Sequence, residues 1–167
     1  TGATNTALGA VSLYGNTTGA SNVAVGDNAL QGNTTASFNT AVGRQALALN
    51  TTGASNIGIG HQALYTNTTG ASNVSIGHGS LYNNTTASNN TAVGYFSLLS
   101  NTTGTGNVAL GYGALDANTT ANYSTAVGFN ALTSSTGTYN TSLGQDAGSQ
   151  VTTGTHNVFI GAGAGSH

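Results

Sequence analysis

The sequence contains no cysteine, no proline, no methionine and no tryptophan, and it carries almost no charge. Without cysteine a disulfide framework is excluded, and the redox compartment cannot be inferred from thiols. Charged residues make up 2 % of the 167, against about 25 % in ordinary soluble domains. The one basic residue is Arg44, and the acids are Asp27, Asp116 and Asp146. A net charge of −2 spread so thinly leaves no basic footprint, so neither nucleic acid nor an anionic membrane is an expected partner. No apolar run approaches the ~18 residues needed to span a bilayer, so membrane insertion is not expected. There is no initiator Met and no signal peptide, and the pattern described next is already running at Thr1. A fragment or processed segment of a longer protein is expected on that basis.

Gly, Thr, Asn, Ala and Ser dominate what is present. Such a mixture can signal disorder, but here the aliphatic residues recur at fixed intervals. One glycine anchors the recurrence: Gly9, Gly26, Gly43, Gly60, Gly77, Gly94, Gly111, Gly128, Gly144 and Gly161. Every interval is 17 except Gly128 to Gly144, which is 16. The consensus is N-[TV]-A-V-G-x-x-A-L-x-x-N-T-T-G-A-S.

An aliphatic residue always precedes the glycine, as in Val25, Ile59 and Leu110, and a β-branched residue stands two before it, as in Val23, Thr40 and Ile57. Residues i and i+2 share one face of a strand, so both columns are expected to point inward. Between them lies a small column of Ala7, Ala24, Ala41, Gly58, Ser75, Ala92, Ala109, Ala126 and Ser142. This column is expected to offer a face on which another chain can approach closely. Four residues after the glycine a leucine column runs from Leu13 to Leu132.

The expected unit is two short strands, N-V-A-V and a second near A-L, with two turns. It is too short and too often broken by Gly and Asn for a helical hairpin. Successive units then stack as coils at ~4.8 Å. The predicted fold is an all-β parallel β-solenoid (a β-roll), left-handed, with about ten 17-residue coils in one domain over residues 1–167. Stacked Asn side chains at the N-T-T corner can form a hydrogen-bonded ladder. The last two coils, about 137–167, lose the leucine column and gain Phe159, and are read as a cap or a transition.

The variable positions lie one, two, five and six after the glycine and five before it. All seven Tyr, the three Asp and Arg44 fall there. His61, His78, Tyr95, Tyr112 and Phe129 share one column, and Tyr65 and Tyr82 another. These seven form the candidate binding surface, beside the plain reading that they are ordinary exposed residues or stack only for stability. His61 and His78 should be neighbours on adjacent coils, but Arg44 and Tyr95 flank them and no third ligand falls in register, so no metal is expected. His156 and His167 look incidental. Three carboxylates in different coils give no paired-carboxylate chemistry, and nothing is placed to activate Ser or Thr, so no enzyme and no cofactor are expected. Corner geometry rather than sugar explains most of the N-x-[ST] sequons, which include Asn16, Asn50, Asn73 and Asn83.

The segment Gly19–Gly26, G-A-S-N-V-A-V-G, resembles the repeat in the head of trimeric autotransporter adhesins. The N-T-A-V-G repeats and the closing Asn157–Gly161 resemble repeat arrays of long bacterial surface proteins and phage tail fibres. The resemblance covers the whole chain and departs in period, since autotransporter heads use shorter coils. It implies an extracellular, cell-surface or virion fibre segment, homotrimeric or otherwise self-associating. Such a segment presents a binding surface to a cell-surface glycan or protein receptor.

A second expectation comes from the threonines. Columns at Thr17, Thr34, Thr51, Thr68, Thr85, Thr102 and Thr119, and at Thr18, Thr35, Thr52, Thr69, Thr86, Thr103 and Thr120, with low charge, suit an ice-binding solenoid. Adjacent Thr residues nevertheless point to opposite faces of a strand, and N-T-T reads as a corner.

Overall fold

A computed structural model describes residues 2–166; Thr1 and His167 lie outside the described residues. The architecture is an all-β parallel β-solenoid without helix. Ten three-residue strands follow one another: β1 (Thr6–Leu8), β2 (Val23–Val25), β3 (Thr40–Val42), β4 (Ile57–Ile59), β5 (Val74–Ile76), β6 (Thr91–Val93), β7 (Val108–Leu110), β8 (Thr125–Val127), β9 (Thr141–Leu143) and β10 (Val158–Ile160). They form one sheet in sequence order, every neighbour parallel and in register, so that Val23 pairs with Thr40 and Thr40 with Ile57. About nine turns of some 17 residues connect them.

Each unit holds one strand rather than the expected two. The A-L segment is turn, because the backbone takes positive φ at alternate positions there: Gln62 at 56° and Leu64 at 54°. Coil-to-coil hydrogen bonding still continues through this segment, with Leu47 N–H donating to Ala63 C=O at 3.0 Å and Leu64 N–H to Ser80 C=O at 3.0 Å. The ladder therefore runs around the coil and satisfies backbone groups that a narrow solenoid would otherwise bury unpaired.

The orientation of the strands reverses the sequence expectation. The middle residue is the one that faces in: Ala24, Ala41, Ala92, Ala109 and Ala126 are fully buried. The aliphatic and β-branched columns face out. Ile57, Ile59 and Ile76 are each 37 % exposed. Strand side chains alternate, so choosing one parity for the core sends both flanking columns outward.

The leucine column decides the parity. Leu30 to Leu132 are completely buried and fill the middle of the coil. A Cβ added at Gly58 would sit 3.2 Å from Leu47 Cγ and Cδ1, so the strand's inner face has room for a methyl or hydroxyl group and little more. The small column is thus an interior constraint, and the expectation that it forms an inter-chain face is overturned. The core is Ala, Ala and Leu per coil.

Two ladders of buried asparagine close the cross-section. At the N-T-T corner, Asn50 Nδ2–H donates to Asn33 Oδ1 at 3.0 Å and to Gly53 C=O at 2.9 Å, and Asn67 and Asn84 repeat this. Before the strand, Asn56 Oδ1 accepts from Asn73 N–H at 3.0 Å, while Asn56 Nδ2–H donates to Gly70 C=O at 2.8 Å. The corner ladder was expected and the second was not. Amide nitrogens committed in this way, in side chains as buried as Asn33 to Asn118, fit the structural reading of those sequons.

The last two coils replace the leucine with Gly148 and Gly165. Phe159, from the small column of β10, occupies the vacated space: Cβ atoms at the two glycines would lie 2.8 and 2.3 Å from its ring. It packs against the core as a partly buried plug. The 16-residue interval falls at the corner, where Ser135 stands in the Asn column and accepts from Asn140 Nδ2–H at 3.3 Å.

Candidate functional site

The column that follows the anchoring glycine forms a continuous stack along the rod. Arg44 Nε lies 3.8 Å from Asp27 Oδ2, with both side chains largely exposed. Such a pair contributes well under 1 kcal/mol in water. Arg44 Nη1 is 3.2 Å from His61 Nε2. His61 Nδ1 is 3.1 Å from His78 Nδ1, which requires one ring nitrogen to donate and the other to accept. His78 then stacks on Tyr95 at 5.0 Å, Tyr95 on Tyr112 at 5.4 Å and Tyr112 on Phe129 at 5.1 Å, with interplanar angles of 12° or less.

Exact repetition produces this arrangement, because side chains at equivalent positions meet at the coil spacing. Ring faces cover one another and mainly edges meet solvent. Five of the seven candidate residues, His61, His78, Tyr95, Tyr112 and Phe129, are therefore brought together. Tyr65 and Tyr82 stack separately at 5.2 Å in their own column. A third stack, Tyr123–Tyr139–His156, runs on the column five before the glycine, with centroids 5.5 and 4.8 Å apart.

Electrostatics along the first stack follow from crowding of bases. Desolvation holds the His61 imidazole below its usual 6.5, and the adjacent His78 and Arg44 add to this. Asp116, in the Tyr65–Tyr82 column, has its carboxyl pushed up by burial alone. Its Oδ1 is buried without a hydrogen-bond partner. Among the described residues no group of three or more His, Cys, Asp and Glu side chains converges on one point.

A shallow cleft of about 310 Å³ opens where the two aromatic columns approach each other, lined by Gln62, His78, Tyr82, Asn83, Phe96 and Leu99. Gly79 creates it. That column reads Gln62, Gly79, Phe96, and the Phe96 ring leans over Gly79, where a Cβ would lie 2.5 Å from it. Phe96 is tilted 52° to His78 and 48° to Tyr95, out of line with the stack. Sequence reasoning named His78 and Tyr82 here but missed Gln62, Asn83, Phe96 and Leu99. Gly113 and Gly163 stand in the same column as Gly79, so the glycine alone gave no signal for the cleft.

The threonine columns separate by function. Thr17, Thr34, Thr51, Thr68, Thr85 and Thr102 each donate their hydroxyl to a carbonyl one coil on, at 2.9–3.2 Å. Thr119 is exposed, Thr136 repeats the bond to the Thr152 carbonyl at 3.1 Å, and Thr18, Thr35, Thr52, Thr69, Thr86, Thr103 and Thr120 are exposed beside the column.

The outer face of the sheet carries exposed aliphatic side chains along its length, among them Ile57, Ile59, Ile76 and Leu143. It presents two columns, from Thr6 and Leu8 at one end to Val158 and Ile160 at the other. Compared with known proteins, the chain matches no family model, no curated protein and no solved structure.

Proposed function

We propose that this chain is a non-catalytic, rod-like repeat segment of an extracellular fibre on a bacterial surface or a phage tail. Copies associate, three to a rod, through the outer sheet face, and the turn-side columns are presented to a cell-surface glycan or protein. One observation carries the self-association: the aliphatic columns on ten in-register strands point away from the core, with Ile59 and Ile76 37 % exposed. A contiguous apolar face of this extent is what a partner surface buries. Its repeat suits an identical copy, since each rung meets an equivalent rung. The near absence of charge removes the usual barrier to close packing of like chains. The trimeric number rests on the resemblance in the Gly19–Gly26 motif.

Lysine at two rungs tests it. Ile59→Lys with Ile76→Lys places charge on the outer face without touching the Ala and Leu interior. The variant is expected to lose self-association while keeping its β-type circular dichroism. Assembly unchanged from the parent would overturn the reading.

Ice binding is the second reading. The exposed Thr18–Thr120 column and the in-register Thr and Val rungs of the sheet face favour it, since both repeat at the coil spacing. Against it, the Thr17–Thr102 hydroxyls are committed to carbonyls of the rod. Thermal hysteresis from a monomer supports this reading; its absence at millimolar protein sinks it.

A further inference from the structure

The cleft between the aromatic columns joins polar and apolar groups. Within those stacks the interior rings, such as Tyr95 and Tyr112, have an aromatic neighbour on both faces. Tyr82 is covered by Tyr65 on one side, and its column continues on the other with Leu99, a smaller side chain. Phe96, drawn down over Gly79, supplies a second aromatic surface at an angle to the stack. The result is a recess with ring surface on two sides.

Its polar groups retain free capacity. Among the described residues the Asn83 amide makes no side-chain hydrogen bond, although the asparagines of both ladders are fully engaged. Gln62 Nε2–H donates to Gln45 Oε1 at 3.1 Å, leaving Gln62 Oε1 as an open acceptor. His78 uses Nδ1 toward His61, leaving Nε2. The Tyr82 hydroxyl has no partner among the described residues. These groups both donate and accept, and none is a fixed charge. The chain's single guanidinium, Arg44, is engaged by Asp27 and His61.

Such chemistry discriminates among ligands. An anion finds no cation here, and a cation finds no carboxylate. A purely apolar ligand would leave an amide and a hydroxyl without partners. A neutral pyranose meets both demands. Its face of C–H bonds lies against the electron-rich face of an aromatic ring, while its hydroxyls, each donor and acceptor, pair with amides. A cleft of about 310 Å³ is at the lower end of the range for small-ligand sites and holds one or two sugar units.

We propose that the Gly79 cleft is a subsite for a neutral saccharide, seated against Tyr82 and Phe96 and hydrogen-bonded by Asn83 and Gln62. It rests on the reading of the rod as a presenting surface and names the ligand class. One chain builds the cleft, and none of its lining residues belongs to a strand.

The test is a nuclear magnetic resonance titration of the protein, in its native oligomeric state, with methyl glucoside, methyl galactoside, methyl mannoside and N-acetylglucosamine. Each is taken to about 50 mM, a range that detects millimolar affinities of about −4 kcal/mol. The expected result is saturable shifts at Tyr82 and Phe96 with at least one sugar, while Tyr123 and Tyr139 do not move. Asn83→Ala and Tyr82→Leu should each weaken that binding at least about fivefold; leucine already stands at position 99 in the Tyr82 column. No shift with any of the four, equal shifts at all tyrosine stacks, or binding untouched by both variants would overturn the proposal. Mass measured on the same samples separates the two readings: a sugar-binding monomer removes self-association alone, and an assembled rod without binding removes the cleft alone.

Discussion

At Gly77 the backbone φ is 128°, and an added Cβ would sit 2.5 Å from the Gly94 carbonyl oxygen one coil on. Both facts hold along the anchoring column from Gly9 to Gly144, so its glycine answers to the stacking as well as to the turn. Gly77→Ala is expected to cost about 3 kcal/mol or more, since neither the conformation nor the contact can relax without separating two coils. A shift in the urea midpoint measures it. The interior asparagines obey a different rule. Asn56 accepts from Asn73 N–H and donates to Gly70 C=O; Asn56→Ala leaves the Asn73 N–H buried and unpaired, while Gly70 C=O keeps the Asn67 amide as a donor. The expected loss is about 1–3 kcal/mol, read in the same denaturation experiment. The glycine column and the corner asparagines were legible because they recur without exception over most of the chain. The second asparagine ladder was equally periodic but was read only as the start of the strand, because a residue type does not reveal which way its amide points.

Among the elements, the strand was found and its facing was not. Val-Ala-Val offers two consistent parities, and hydrophobicity alone favours the wrong one. Volume decides the matter: the buried leucine column leaves space beside Gly58 for a single carbon. The sequence did show this signal, as a column kept small in nine of ten coils, but it was assigned to a neighbouring chain instead of the coil's own leucine. The A-L segment failed as a strand for a related reason. Leu64 and its equivalents adopt positive φ, a conformation that residue type disfavours and that coil-to-coil hydrogen bonding imposes. The aromatic and imidazole stack is an element in its own right, and it titrates. His61 takes up a proton less readily in the fold than at its ordinary 6.5, chiefly through desolvation and then through His78 and Arg44. Below 6.5 the unfolded chain therefore binds more protons, so this contribution is complete above 6.5 and is lost as pH falls below it. Melting temperature is expected to decline over that interval, and His61→Gln should flatten the decline. An equal decline in the variant would show that another group is responsible.

For the whole molecule, stacking and assembly are two uses of one periodicity. Inside each chain the repeat aligns Ala, Leu and Asn into a core that is thin in cross-section, and solenoids gain stability as such units add. Outside, the same repeat aligns Thr, Val and Ile into an apolar face that a solitary rod leaves wet. Burying it at ~25 cal/mol per Å² supplies the driving force for association. The period made the architecture legible from sequence, whereas the cleft beside Gly79 was not, since it depends on how the Phe96 ring leans, which a residue type does not reveal. Light scattering on the unmodified chain tests the central claim most directly. A particle three times the 16.3 kDa of one chain is the expected result, stable on dilution to micromolar concentration. A monomer of 16.3 kDa under those conditions would contradict it.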